Sequence, residues 1–169
     1  QNKVQFIYEK FGASSSSTRR CSPVWLKEYK GLWYLFAREE QTKKDKTFAL
    51  DRIRDLKVLD LFGEKSSIDP QEYYDKTIGV TVLDKPVEEI VLSFDPYQGN
   101  YVKTKPLHHS QKILIDTNEE LRLMISVITN YELISMILSY GKSLRVISPK
   151  SLKKKIFQNL QEASDLYSE

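Results

Sequence analysis

The chain has 169 residues, 40% hydrophobic and 29% charged, a balance that excludes wholesale disorder and allows one medium domain or two small ones. Its 26 basic and 23 acidic residues leave a net charge of only +3, so no global positive field marks a general nucleic-acid binder and any basic site must be local. The single cysteine, Cys21, excludes an intrachain disulfide and points to a reducing, cytoplasmic compartment, and no apolar run approaches the ~20 residues of a membrane helix.

The chain opens Gln1-Asn2-Lys3, with neither a signal-peptide pattern nor an initiator methionine, and reads as a fragment of a longer protein. Val4, Phe6 and Tyr8 alternate with polar residues, as a half-buried strand requires. Gly12 and the serines Ser14 to Ser17 are loop chemistry. Val24 to Tyr29 resumes a strand, and Lys30-Gly31 signals a turn. Leu32 to Ala37 is apolar on both faces and predicts a central strand, with Trp33 in the core. Arg38 to Lys46 predicts a loop, and Thr47–Leu50 and Arg54–Leu59 two further strands. Five short strands in so few residues suggest a small SH3-like or Sm-like β-barrel.

Asp69-Pro70-Gln71-Glu72 reads as a helix start, with Asp69 as N-cap and Pro70 at the first helical position. In the second half, Ile90, Leu92 and Phe94 alternate on a strand, and Asp95-Pro96 caps a short helix containing Gly99. Leu107 to Ile115 predicts the next strand, and Leu121, Leu123, Ile125 and Val127 another. Asn130 caps a helix that Gly141 ends, Leu144 to Ile147 is the last strand, and Ser148-Pro149 opens a final helix. Leu152, Ile156, Leu160 and Ala163 form the apolar face expected of that helix. The order βαββαβ predicts a ferredoxin-like α/β sandwich, making the whole chain α+β.

Trp33-Tyr34-Leu35 resembles the tripeptide that names the WYL-domain family. Around it, Thr18-Arg19-Arg20-Cys21-Ser22-Pro23, Phe48-Ala49-Leu50-Asp51-Arg52-Ile53 and Tyr8 are similar to family segments. The linker from Tyr73-Tyr74 to Gly79-Val80 fits the same pattern. Leu107 to Gln111 and the stretch from Ser139-Tyr140-Gly141 to Ser148-Pro149 resemble the extension that often follows a WYL domain. The resemblance departs at Ala49, where the family often has arginine, and near Lys46, where a second arginine is common. It implies a ligand-sensing barrel (1–63), a linker with a short helix (64–80) and a ferredoxin-like extension (81–169). It also implies a bacterial transcriptional regulator that is a homodimer. Nothing before Tyr8 has the length of a recognition helix, so operator contact is expected from a helix-turn-helix domain outside this chain.

The expected site is a basic barrel pocket holding an anionic effector, nucleotide-like or a nucleic-acid end, through Tyr8, Arg52 and one of Arg19 and Arg20. An arginine fork matches phosphate or carboxylate oxygens, and adjacent strand residues face opposite sides, so the pair divides between two faces. Each arginine is equally readable as a solvated surface charge, and Tyr8 as a strand-end core residue. His108 and His109, read as strand neighbours, diverge and form no metal pattern with Cys21. No Gly-x-Ser-x-Gly elbow or phosphate-cradling glycine loop is present, so no catalytic residue and no cofactor is expected. Lys150, Lys153, Lys154 and Lys155 read as a solvated helix face, or as phosphate contacts. Two alternatives stand beside effector sensing: a direct single-stranded nucleic-acid-binding module, and a structural dimerisation domain.

Overall fold

The computed structural model describes residues 2–12, 15–63 and 66–168. Contacts divide the chain into two compact units, Gln1–Pro70 and Gln71–Glu169.

The first unit carries β1 (Asn2–Tyr8), β2 (Ser17–Tyr29), β3 (Leu32–Glu39), β4 (Asp45–Ala49) and β5 (Ile53–Phe62), with a 3₁₀ turn at Leu50–Arg52 joining the last two. They form one antiparallel sheet in the order β4-β3-β2-β1-β5. Lys30 and Gly31 both take positive φ, the backbone that a tight two-residue hairpin turn demands. Pro23 lies inside β2, where it cannot donate to the ladder, and the register shifts between Pro23 and Trp25. The rings of Phe6 and Phe48 lie 5.2 Å apart, and those of Tyr8 and Phe48 5.1 Å apart. β1 and β4 are not neighbours in the sheet, so these contacts cross an interior. The sheet therefore curls into the small barrel predicted from its strand spacing. Val4, Phe6, Cys21, Leu35, Ala37 and Phe48 fill that interior.

Three details of this unit differ from the sequence reading. Trp33 is not a core residue but 52% exposed, because it pairs with exposed Glu28 close to the hairpin turn and only Leu35–Ala37 of the apolar run is buried. β2 begins at Ser17, well before Val24, so Arg19 and Arg20 stand on a regular strand. The polar stretch from Arg38 to Lys46 is mostly strand, since β3 runs to Glu39 and β4 starts at Asp45. Of the serine run, Ser14 lies outside the described residues.

The second unit holds most of α1 (Pro70–Tyr74), then β6 (Glu88–Phe94), α2 (Pro96–Thr104), β7 (Lys112–Asp116), β8 (Leu121–Val127), α3 (Tyr131–Ser139), β9 (Leu144–Ser148) and α4 (Lys150–Asp165). Its antiparallel sheet runs β7-β8-β6-β9, which is the ferredoxin-like arrangement. Ile90, Leu92 and Phe94 on β6 pack with Leu121, Leu123 and Ile125 on β8, all essentially fully buried. Asp95 caps α2 by accepting from the Gln98 amide, and Asn130 caps α3 by accepting from the Leu133 amide, as their residue types predict.

Here too the structure corrects the expectation at two places. The strand expected from Leu107 starts only at Lys112. Residues 107–111 form a hydrogen-bonded loop instead: Gln111 accepts from the Leu107 amide at 2.9 Å and donates to the Val102 carbonyl, and Ser110 Oγ accepts from the Ser126 amide at 2.9 Å. The apolar stripe of α4 stops at Ile156, and Leu160 and Ala163 are exposed.

Candidate ligand site

Alternation along the strands decides which side chains face the barrel interior. Phe6 pairs with Arg19, and Val4 with Cys21, so Arg19 shares the inner face and Arg20 turns outward. Cys21 in turn pairs with Glu39 on β3. The result is a charged cluster at the edge of an otherwise apolar interior. Glu39 is only 1% exposed. It accepts hydrogen bonds from Arg19 Nη1 at 2.6 Å, from Thr42 Oγ1 at 2.5 Å and from Lys46 Nζ.

Burial opposes the charge on Glu39 most strongly, but the bonds from Lys46, Thr42 and Arg19 together outweigh it and bring its pKa down to about 2. The same environment acts oppositely on Cys21. Its burial, reinforced by the Glu39 charge, pushes the thiol up to about 12, so it is a packed, unreactive side chain.

Arg19 is thus already bound to an internal carboxylate. Arg20 is partnered as well: it donates to Gln5 Oε1 at 3.1 Å and lies 3.5 Å from Glu40 Oε2, itself held by Lys3 at 2.7 Å. A depression of about 240 Å³ beside these residues is lined by two arginines and by Glu39 and Glu40, so its charges cancel.

Arg52 is different. It ends the 3₁₀ turn and directly precedes Ile53, the residue paired with Tyr8, and its carbonyl accepts from the Glu9 amide. Its guanidinium carbon sits 3.9 Å from the centre of the Phe11 ring, a cation–π contact. Its Nε is buried without a hydrogen-bond partner, and among the described residues no carboxylate pairs with it. Beside it, the Tyr8 hydroxyl accepts from the Ala49 amide at 3.2 Å. That bond uses a lone pair and leaves the phenolic proton free to donate. The four residues singled out by sequence therefore separate: Tyr8 and Arg52 occupy neighbouring backbone positions, Tyr8 with its ring on Phe48 and Arg52 with its guanidinium on Phe11, whereas Arg19 lies inside on Glu39 and Arg20 lies outside.

Sequence reasoning missed Glu39 and Phe11. The signal for Glu39 is present, since Leu35, Ala37 and Glu39 share one parity, but a loop from Arg38 onward leaves the strand two residues short. In the second unit, His108 Nδ1 lies 2.8 Å from Ser110 Oγ, and the rings of His108 and His109 are 4.0 Å apart on a loop rather than divergent on a strand. Burial first, then the neighbouring His109, holds the His108 pKa below its usual value. The Ser110 hydroxyl is committed to Ser126, and His108 to the turn that holds it. Among the described residues, no three potential ligands gather in a metal-binding group.

Comparison with known proteins follows the same division of the chain. A model of the WYL domain matches residues 1–58, and a model of the WCX domain matches residues 86–164. The chain belongs to the WYL-domain family. Its WYL domain is the curled five-stranded sheet, and its WCX domain the ferredoxin-like sandwich. Among solved structures, the chain is similar to a CRISPR Cas-related protein, at 14% identity and TM-score 0.54, covering 98% of this chain and 48% of that one. It is also similar to proteasome accessory factor B/C of Arthrobacter aurescens, at 21% identity and TM-score 0.40, covering 97% of this chain and 25% of that one. The WYL chain thus spans about half and a quarter of these two proteins. A search of curated proteins gives no match.

Proposed function

We propose that the WYL barrel is the sensing module of a bacterial transcriptional regulator, and that it binds an anionic effector, nucleotide-like or a nucleic-acid end. Arg52 supplies the charge and Tyr8 a hydroxyl donor. The observation that carries this reading is the state of Arg52: of the three arginines considered, it alone has no counter-charge among the described residues, and an aromatic ring holds it in place. An arginine fork without a counter-charge is suited to phosphate oxygens, and Tyr8 stands at the neighbouring backbone position. Effector binding then controls operator affinity through a helix-turn-helix domain outside this chain. The physical requirement is that the effector bind two states of the regulator unequally. In this reading the module is non-enzymatic, cytoplasmic and a homodimer.

The test is fluorescence anisotropy of a short labelled single strand, as DNA and as RNA, against the chain and its Arg52→Ala variant at low and moderate salt. A loss of roughly ten-fold or more in the variant is expected, the size of one charge-assisted hydrogen bond. Equal affinity of the two proteins overturns the assignment. A steep fall with salt assigns the barrel to direct strand binding.

A second reading, a structural dimerisation unit, draws on β5. Leu56, Val58, Leu61 and Phe62 on this edge strand are all at least half exposed. It predicts a concentration-dependent dimer in sedimentation that Arg52→Ala leaves unchanged.

A further inference from the structure

The WCX domain has a concave site of its own. The open groove between α2 and the end of α3 has a volume of about 410 Å³ and is lined by Tyr97, Gln98, Tyr101, Val102, Lys105 and Tyr140. That volume lies in the ~300–1,000 Å³ range of small-ligand sites. Tyr97 and Tyr101 stand one turn apart on α2, 72% and 55% exposed, with ring centres 5.4 Å apart and hydroxyls 3.2 Å apart. The hydroxyl contact holds two large rings in a fixed relation while their faces stay open to solvent. Tyr140, half-buried, packs edge-on against the core ring of Phe94 at 5.1 Å and is thereby immobilised. Among the described residues no carboxylate lines the groove, and Lys105 is the charged side chain there.

From this arrangement we infer that the α2–α3 groove is a second ligand site, taking a nucleobase that carries a phosphate. The chemistry selects that class. Tyrosine rings offer π faces that any base can stack upon, and a lysine beside such rings favours an anionic substituent on the ligand. The Gln98 amide supplies both a donor and an acceptor for a base edge. A free nucleotide and one unit of a single strand present the same chemistry. The site lies wholly within the second unit and stands apart from the barrel assignment.

The experiment uses the full chain in the Arg52→Ala background, so that binding at the barrel does not mask the groove. Fluorescein-labelled oligodeoxyadenosine of eight nucleotides is titrated by anisotropy, with the unlabelled adenine octamer, AMP, adenosine and an abasic octamer as competitors. The expected result is binding that survives Arg52→Ala and weakens five-fold or more when Tyr101→Ala or Lys105→Ala is added. The adenine octamer competing where AMP does not assigns a strand as the ligand, and AMP competing where adenosine does not assigns a free nucleotide. Circular dichroism checks that the variants fold, as the exposure of both side chains leads one to expect. The inference is overturned if Tyr97→Ala and Tyr101→Ala bind as the parent does, if the abasic octamer competes as well as the adenine one, or if Arg52→Ala alone abolishes binding. Binding unaffected by Arg52→Ala but lost with Tyr101→Ala sinks the barrel reading and leaves the groove standing.

Discussion

Glu39 shows how one residue can organise a small barrel. Its carboxylate is the counter-ion for Arg19 and Lys46, whose side chains are 28% and 34% exposed. Removing Glu39 takes away the charged hydrogen bonds of Arg19 and Lys46, which water reaches only in part, so Glu39→Ala is expected to destabilise the barrel by about 1.5–3 kcal/mol in urea denaturation. Glu39→Gln keeps the shape and should cost less. The pH dependence follows from the lowered pKa. Between about 2 and the ordinary 4.5, the unfolded chain binds a proton that the folded one does not. The stabilisation by Glu39 is therefore complete above pH 4.5 and is lost as pH falls toward 2. The stability gap between wild type and Glu39→Gln should be widest near neutral pH and close on acidification; a gap independent of pH refutes the assignment.

At the scale of elements, the stretch after α1 depends on α3 for its shape. Asn130 Nδ2 donates to Thr77 Oγ1 at 2.6 Å, to the Ile78 carbonyl at 2.8 Å and to the Thr81 carbonyl at 2.9 Å, while its oxygen caps α3. Glu132 Oε1 accepts from the Thr81 amide and hydroxyl. Asn130→Ala removes a cap and takes the Asn130 donor from the buried Thr77 hydroxyl and the part-buried Ile78 carbonyl, while the Thr81 carbonyl keeps its bond from Thr77 Oγ1, so a loss of about 1–3 kcal/mol is expected by thermal or chemical denaturation. Gly79, at φ +87, lies close against Glu132, and a Cβ there would come within 2.6 Å of the Glu132 side chain. Gly79→Ala should therefore destabilise the same junction, through strain and steric overlap together. Elements whose instructions are local were legible in sequence: the turn at Lys30-Gly31, the caps Asp95 and Asn130, and the alternation of β6 and β8. What escaped was tertiary. Glu39 looks like a loop acid until β2 and β4 supply its cations. Trp33 looks like core until its pairing with exposed Glu28 beside the hairpin turn leaves it in solvent. The histidine-bearing segment looks like a strand until Ser110 and Gln111 take up the neighbouring backbone groups. The site was legible as a set of candidates, but which arginine is free depends on carboxylates distant in the chain.

For the whole molecule, two separate cores imply two separable responses. Both tryptophans, Trp25 and Trp33, belong to the barrel unit, whereas α2, α3 and α4 belong to the other. Tryptophan emission therefore reports barrel unfolding, and helical circular dichroism chiefly reports the WCX domain. Glu39→Gln is expected to shift the emission midpoint while leaving the dichroism midpoint within error, and Asn130→Ala to do the reverse. Equal shifts in both signals would show that the two cores melt as one cooperative unit.

The 3₁₀ turn at Leu50–Arg52 has a further meaning. β4 and β5 are the two free margins of the sheet, and this turn is the stretch of chain that ties margin to margin. A ligand gripping Arg52 fastens a clasp across the barrel's seam. Its footprint should appear as slower deuterium uptake along β4 and β5, with the β2–β3 hairpin exchanging as before.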